Sequence, residues 1–254
     1  MVLAYDGSGF HGFARQPGQR TVAGELARAI SKFSRHGVEL VCAGRTDSGV
    51  HAHGQVVHTD LAPSVDLDDL KRSVNRQLAP AIVLRSVEPA PAGFDARRSA
   101  LSRSYRYLVF QAAEPDPLLS TAAWHVPDPL DLRMMRAASD GLIGEHDFSA
   151  FCRKPPGHPE GAPITRRVVD ANWSTASYLN GEPEVSERLL RFDITASSFC
   201  HQMVRSVVGV LVEIGRGRMK PSDVRRLLES GDRAGAKTLA PAHGLCLMSV
   251  SYAD

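Results

Sequence analysis

The order in which apolar periodicity changes over the first 111 residues constrains the fold most. "MVLAY" at residues 1–5 reads as a short buried strand that breaks at "DGSG". "TVAGELARAISKFSRHG" then places Leu26, Ile30 and Phe33 at helical spacing, with Thr21 as N-cap and Gly37 as the stop. "VELVCA" and "GQVVHTDLA" are strand candidates either side of a glycine-rich loop. "SVDLDDLKRSVNRQL" is a helix with Asp66, Asp68 and Asp69 in its first turn and Lys71, Arg72 and Arg76 later, the order its dipole favours. "AIVLRSVEPA" and "SRSYRYLVFQ" are two more strands. Strand–helix–strand–strand–helix–strand gives an α+β unit with an antiparallel-rich sheet.

The segment 112–129 contains Pro115, Pro117, Pro127 and Pro129, and is the natural boundary. It divides the chain into an N-terminal α/β half, residues 1–112, and a C-terminal α/β half, residues 113–254. The second half partly repeats the element order. "DLRMMRAASDGLIG" is a helix, and "APITRRVVDANWSTAS" and "RLLRFDITA" are strands. "SSFCHQMVRSVVGVLVEIG" is the strongest helix, "KPSDVRRLLESG" a short one starting at Pro221, and "GLCLMSVSY" a closing strand. The expected architecture is two similar halves with a cleft between them, and such clefts are common ligand sites.

Composition excludes more than it selects. With 43% hydrophobic and 23% charged residues the chain is an ordinary globular one, and a net charge of +2 names no partner. Cys42, Cys152, Cys200 and Cys246 are far apart and form no C-x-x-C pair, the pattern of a reduced cytosolic protein. No signal peptide is evident, and "VVGVLV" is far short of a membrane span. Neither a G-x-x-x-x-G-K-[ST] loop nor a G-x-G-x-x-G turn is present, which argues against nucleotide hydrolysis and dinucleotide binding.

The stretch "CAGRTDSGVHAHGQVVH" has one acid, Asp47, among Arg45, His51, His53 and His58. Gly44 and Gly49 let the backbone bend and a substrate approach. A carboxylate kept ionised by a neighbouring arginine can act as nucleophile or general base. The same spacing suits a plain Asp turn between strands. The histidines invite a metal reading, but a zinc site needs three or four converging ligands and no H-E-x-x-H or acidic cluster joins them, so no metal is expected.

Two further regions carry charge. From Gly7 to Gly24 there is no acid, while Arg15 and Arg20 are present. Between Asp95 and Glu114 there is again none, with Arg97, Arg98, Arg103 and Arg106, and Tyr105 and Tyr107 share one strand face. Arginines beside an aromatic face suit RNA, and an ordinary half-buried strand has the same pattern. On the strong helix Phe199, Met203, Val207, Val210, Leu211 and Ile214 form a core stripe, opposite Gln202, Arg205, Ser206 and Gly209. From the helix alone Arg205 is a surface residue; as a buried partner for a carboxylate it would be functional.

These blocks together resemble the tRNA pseudouridine synthases of the A type. "YDGSGFHGFARQ", "GRTDSGVHAHGQVVH", "FDARRSALSRSYRY", "GEHDFSAF", "FCHQMVRSVVGVL" and "GLCLMSVSY" stand in that family's order and span nearly the whole chain. The chain departs from it at Phe13, where tryptophan is frequent, and at Asp95 and Arg98, where a histidine and an aromatic residue are common. The resemblance implies an isomerase that converts uridine to pseudouridine in the anticodon arm of tRNA, at positions 38 to 40. It implies the pseudouridine synthase fold, two halves around a basic cleft, in a cytoplasmic homodimer that needs no cofactor. Asp47 falls on the catalytic aspartate, Tyr105 on the active-site tyrosine and Arg205 on the active-site arginine, with Arg45 beside the nucleophile. The N-terminal half then carries the catalytic loop, and the C-terminal half completes the cleft and the dimer interface. Asp47 is expected to be the nucleophile, Tyr105 to stack on the flipped uracil, and Arg205 with Arg45 to keep the carboxylate ionised. Arg15 and Arg97 are expected to contact RNA phosphates. A non-catalytic RNA-binding module would explain the arginines and tyrosines equally, but not the isolated acid.

Overall fold

The computed structural model describes residues 1–154, 156–159, 161–176 and 188–253. Its strands are β1 (Val2–Tyr5), β2 (Val41–Cys42), β3 (His51–His58), β4 (Ile82–Ser86), β5 (Ala100–Gln111), β6 (Trp124–Val126), β7 (Gly144–Asp147), β8 (Thr165–Thr175), β9 (Leu189–Ala196) and β10 (Leu245–Tyr252). Its α-helices are α1 (Val22–Ser34), α2 (Leu67–Leu78), α3 (Leu132–Asp140), α4 (Met203–Gly215) and α5 (Ser222–Ser230). The chain divides into two compact units, Met1–Ser102 with Cys246–Asp254, and Arg103–Leu245. The sequence boundary at 112/113 follows the proline-rich segment. The compact units instead divide within β5, and most of the closing strand β10 belongs to the first unit.

In the first unit β1 pairs antiparallel with both β3 and β4, while β10 runs parallel to β3 with Cys246 opposite His51. Gly54 makes that parallel pairing possible: a Cβ there would sit 2.4 Å from the Met248 carbonyl oxygen. Helices α1 and α2 pack together, burying Leu26, Ile30, Leu70 and Val74, each worth about 1.5–3 kcal/mol when fully removed from water. Thr21 Oγ1 accepts the Gly24 N–H at 3.2 Å, the N-cap the sequence indicates. Asp66, expected within the first turn of α2, is instead its N-cap, with Oδ1 accepting the Asp69 N–H at 2.8 Å. The stop of α1 differs from expectation. Arg35, not Gly37, takes the left-handed conformation, at φ 60°.

In the second unit β5, β9, β8 and β7 form an antiparallel set, and β6 adds parallel to β5. The short strands β6 and β7 escape the sequence reading because neither is long enough to show a period. Trp173 and Phe192 stack at 5.0 Å beneath α3, and both are fully buried. Helix α4 corrects the expected two-sided pattern. Ser206 and Gly209, assigned to its open stripe, are as buried as Val207 and Leu211, so the helix is enclosed nearly all round. Its first turn begins at Met203, after a left-handed Gln202 at φ 67°, rather than near Ser197. Among the described residues no helix is long and apolar enough to cross a membrane.

Cys152 and Cys200 form a disulfide with Cα atoms 5.7 Å apart, across a sequence separation of 48. The sequence, read as that of a reduced protein with no C-x-x-C pair, carried no sign that these two cysteines meet, because distance along the chain says nothing about distance in the fold. The Arg153 N–H donates to the His201 carbonyl at 2.9 Å beside it, so the bond ties the residues after Phe151 to the turn that starts α4. We predict that protein prepared without reductant shows two reactive thiols after unfolding, Cys42 and Cys246. Cys152→Ser is then expected to lower unfolding free energy by about 2–4 kcal/mol. Four reactive thiols without reductant would contradict the pairing.

Candidate active site

Asp47 is the first residue of a turn closed by the Val50 N–H donating to the Asp47 carbonyl at 3.1 Å. Gly49 sits third in that turn at φ 79°, a conformation that costs glycine nothing and most residues a great deal. The turn reading and the functional reading therefore describe the same residue. Asp47 is half-buried and Arg45, two residues before it, is exposed.

Two groups of contacts hold this loop. On one side the Tyr5 hydroxyl and Thr46 Oγ1 share a 2.7 Å hydrogen bond, and Gln55 Nε2 donates to the Gly44 carbonyl at 2.7 Å and to Tyr5 Oη at 3.4 Å. Gln55 is fully buried and Thr46 nearly so. Burial pushes the Tyr5 phenol well up, against the pull of its bonds to Thr46 and Gln55, so the hydroxyl keeps its proton. On the other side the segment 7–13 lies against the loop. The Phe13 N–H donates to the Thr46 carbonyl at 3.0 Å and Ser48 Oγ donates to the Phe10 carbonyl at 3.2 Å. A Cβ on Gly7 would fall 2.1 Å from the Val50 carbonyl oxygen, so only glycine permits this approach. Phe13, the departure from the family pattern, is buried and packs on Tyr5 at 6.2 Å between ring centroids.

Two of the loop's three histidines, His51 and His58, have structural work, and His53 is exposed. His51 Nδ1 accepts the Gly7 N–H at 3.1 Å. Asp6 lies at the same distance from that nitrogen, but a nitrogen accepting a hydrogen bond cannot also donate one, so we assign the Gly7 bond. His58 Nδ1 accepts the Ala96 N–H at 3.0 Å, and Tyr252 Oη donates to the Ala96 carbonyl at 2.7 Å. Ala96 is thereby pinned while Asp95 Oδ1 accepts the N–H groups of Arg97 and Arg98, both at 2.8 Å. Those backbone bonds, first that of Arg98, hold the Asp95 carboxyl below its usual range. Asp95 is thus the cap of a turn that presents exposed Arg97 and Arg98. Among the described residues no group of three His, Cys, Asp or Glu side chains could hold a metal ion.

Of the other residues singled out, Arg45 and Arg97 both act electrostatically on Cys42. Burial pushes the Cys42 thiol up, and the charges of both arginines pull it partly back. Arg15 is exposed on the wall of a groove of about 470 Å³, with Gln16, Gln19 and Arg28. Arg106 is paired within the protein: its Nε donates to Asp193 Oδ1 at 2.8 Å, and its side chain is about one-third exposed. Arg103 is buried, and its Nη1 donates to the Ser197 carbonyl at 2.8 Å.

Tyr105 and Arg205 belong to the second unit. Tyr105 is 8% exposed on β5, with the Phe199 ring edge-on to it at 5.0 Å. Arg205 is half-buried on α4, and its Nε donates to the Ala240 carbonyl at 2.7 Å. Tyr107, fully buried two residues from Tyr105, donates to the Pro241 carbonyl at 2.8 Å. Tyr5 and Gln55 are supporting residues that sequence reasoning passed over, and Tyr107 was read there only as sharing a strand face with Tyr105. The signal for Gln55 was available, as one amide inside the apolar run "GQVV".

The sequence profile described as tRNA pseudouridine synthase matches residues 1–97 and 138–253. A tRNA pseudouridine synthase A of Frankia casuarinae is 46% identical over 256 residues, covering 99% of this chain and 88% of that protein. The Cutibacterium acnes protein of the same name is 40% identical over 255 residues, with 99% and 88% covered. That of Bacillus subtilis is 37% identical over 253 residues, with 99% and 97% covered. The relatives cover nearly the whole chain and the profile all of it but 98–137 and the last residue, the segment around Asp47 lies within both, and the chain belongs to the tRNA pseudouridine synthase family.

Proposed function

We propose that the protein isomerises uridine to pseudouridine in the anticodon arm of tRNA, at positions 38–40, with Asp47 as the nucleophile. The observation that carries this reading is the doubly braced loop. A single carboxylate stands in a cationic segment, and Tyr5, Gln55 and the 7–13 segment fix the backbone on either side of it. Such bracing holds a reacting group in one geometry, and an acid that only weakened phosphate binding would be a cost in a segment otherwise suited to RNA.

The reaction breaks the N1–C1′ bond, turns the uracil and forms a C5–C1′ bond. The C5 proton is lost and N1 gains one, so nothing is oxidised or reduced and no cofactor is needed. The target base must first leave its stack, at a cost of a few kcal/mol, roughly, that contacts to the base and phosphates supply. Asp47 attacks C1′ of the ribose, displacing N1 of the uracil, or adds to C6 of the uracil; on either route its bond to the nucleoside breaks again before pseudouridine is released. Tyr105 offers its ring face to the uracil, braced by Phe199. Arg205 supplies a fixed positive charge to the reacting groups. The reading also takes the enzyme to be a cytoplasmic homodimer, as family membership suggests; light scattering that reports the mass of one chain would remove the dimer from it.

Release of tritium from C5-labelled uridine in unmodified tRNA tests the activity directly. The expected result is release of label, with pseudouridine mapping to positions 38–40. Label retained in full, or product only at other positions, would sink the proposal.

Arg45 lies two residues from the proposed nucleophile, whereas Arg15 and Arg97 are exposed and stand for phosphate contacts. We predict that affinity for tRNA falls with salt, and that each Arg→Ala change lowers the slope of log K against log salt by about 0.7–0.9. Unchanged slopes in both variants would remove these residues from the RNA interface.

A further inference from the structure

We propose that Tyr107 is a positioning residue for Arg205, acting through the strap formed by residues 238–241. The inference rests on the reading of Arg205 as part of the reacting machinery. It concerns how the second unit alone holds that side chain.

An arginine half-buried on a helix has several low-energy rotamers, and a charge that must serve one reaction has to occupy one of them. Two bonds to a single residue accomplish this. Arg205 Nε donates to the Ala240 carbonyl at 2.7 Å, and the Ala240 N–H donates to the Arg205 carbonyl at 3.1 Å. With Nε committed, the plane of the guanidinium and the direction of its two terminal nitrogens follow from where Ala240 sits. Lysine has no equivalent of Nε and cannot make that bond.

Ala240 in turn is placed by what holds the strap. The next residue, Pro241, accepts the Tyr107 hydroxyl at 2.8 Å, and Tyr107 is fully buried. The strap closes on α4 at Gly209, where a Cβ would lie 1.9 Å from the Thr238 carbonyl oxygen. It closes on Tyr107 at Gly244, where a Cβ would lie 2.5 Å from Cζ of the ring. Phenylalanine would fill the same volume without a hydroxyl to satisfy. The hydroxyl therefore points to a requirement at Pro241, one peptide from the carbonyl that orients Arg205. The two side chains also feel each other: burial pushes the Tyr107 phenol well up, and the Arg205 charge opposes that shift.

The test is a double-mutant cycle at 25 °C on full-length protein with unmodified tRNA. Tyr107→Phe is expected to lower kcat by about 10- to 100-fold, the scale of a small misplacement of a reacting group, with KM within twofold. Arg205→Lys, which removes the Nε bond, is expected to lower kcat at least as much. Combining Tyr107→Phe with Arg205→Lys is expected to add less than threefold, because the hydroxyl no longer has an Nε to position. If Tyr107→Phe does not accumulate as folded protein, Gly209→Ala, which must displace Thr238, takes its place in the cycle with the same expectation. Arg205→Lys at wild-type rate would overturn the role of Arg205, and the inference with it. Impaired Arg205→Lys beside normal Tyr107→Phe, or losses that multiply in the double variant, would overturn the inference alone.

Discussion

Asp47→Asn is expected to lower pseudouridine formation by at least about 10⁴-fold, the scale seen when a member of a reacting unit is lost. Asparagine keeps the shape of the side chain and the turn that Val50 closes, but an amide carries no charge and is a poor nucleophile. The arginines proposed to meet phosphate lie elsewhere on the chain, so affinity for tRNA should stay within a few-fold. Thermal stability should change little, because Tyr5, Thr46 and Gln55 support the loop through other atoms. Single-turnover assays and filter binding on one preparation separate chemistry from association. Product formed at near wild-type rate would end the assignment of Asp47 as nucleophile.

Gln55→Leu is expected to lose both stability and turnover. The side chain is fully buried, and its amide holds the Gly44 carbonyl at 2.7 Å and reaches the Tyr5 hydroxyl at 3.4 Å. Leucine has a similar volume and no donor, so the Gly44 carbonyl is left without that bond inside the protein. An unsatisfied buried group costs about 1–3 kcal/mol. For a chain of this size that corresponds to a fall in Tm of roughly 2–12 °C. The consequence for function is the more specific one. Gly44 opens the segment leading to Asp47, and a displacement approaching 1 Å there can cost about 10²-fold in rate. We expect kcat to fall by at least about tenfold with KM for tRNA within threefold, since the change touches the reacting group and not the phosphate contacts. A variant that melts lower but keeps wild-type kcat well below its Tm would reduce Gln55 to a core residue.

What the sequence discloses follows from which interactions are local. The cap of α1 was legible because Thr21 acts on a backbone group three residues away. The alternation of Tyr105 and Tyr107 was legible because a strand's period is two. The enclosure of α4 was not, since which face of a helix meets solvent depends on segments remote in sequence; Thr238 covers Gly209. The same holds for the disulfide of Cys152 with Cys200 and for the pairing of Arg106 with Asp193, whose partners are 48 and 87 residues apart. At the site the pattern repeats. Asp47 could be picked out as a lone acid in its own loop. Its supports could not, because Tyr5 lies 41 residues from Thr46. Asp95 departs from the family pattern yet keeps a plain local reason, as the cap that presents Arg97 and Arg98.

The most direct test of the account is a pseudouridine map of tRNA from cells that lack this protein, complemented with either the wild-type chain or Asp47→Asn at equal expression. The account predicts that pseudouridine at positions 38–40 disappears in the deletion, returns with the wild-type chain, and stays absent with Asp47→Asn. Pseudouridine restored at those positions by Asp47→Asn, or never lost from them in the deletion, would contradict it.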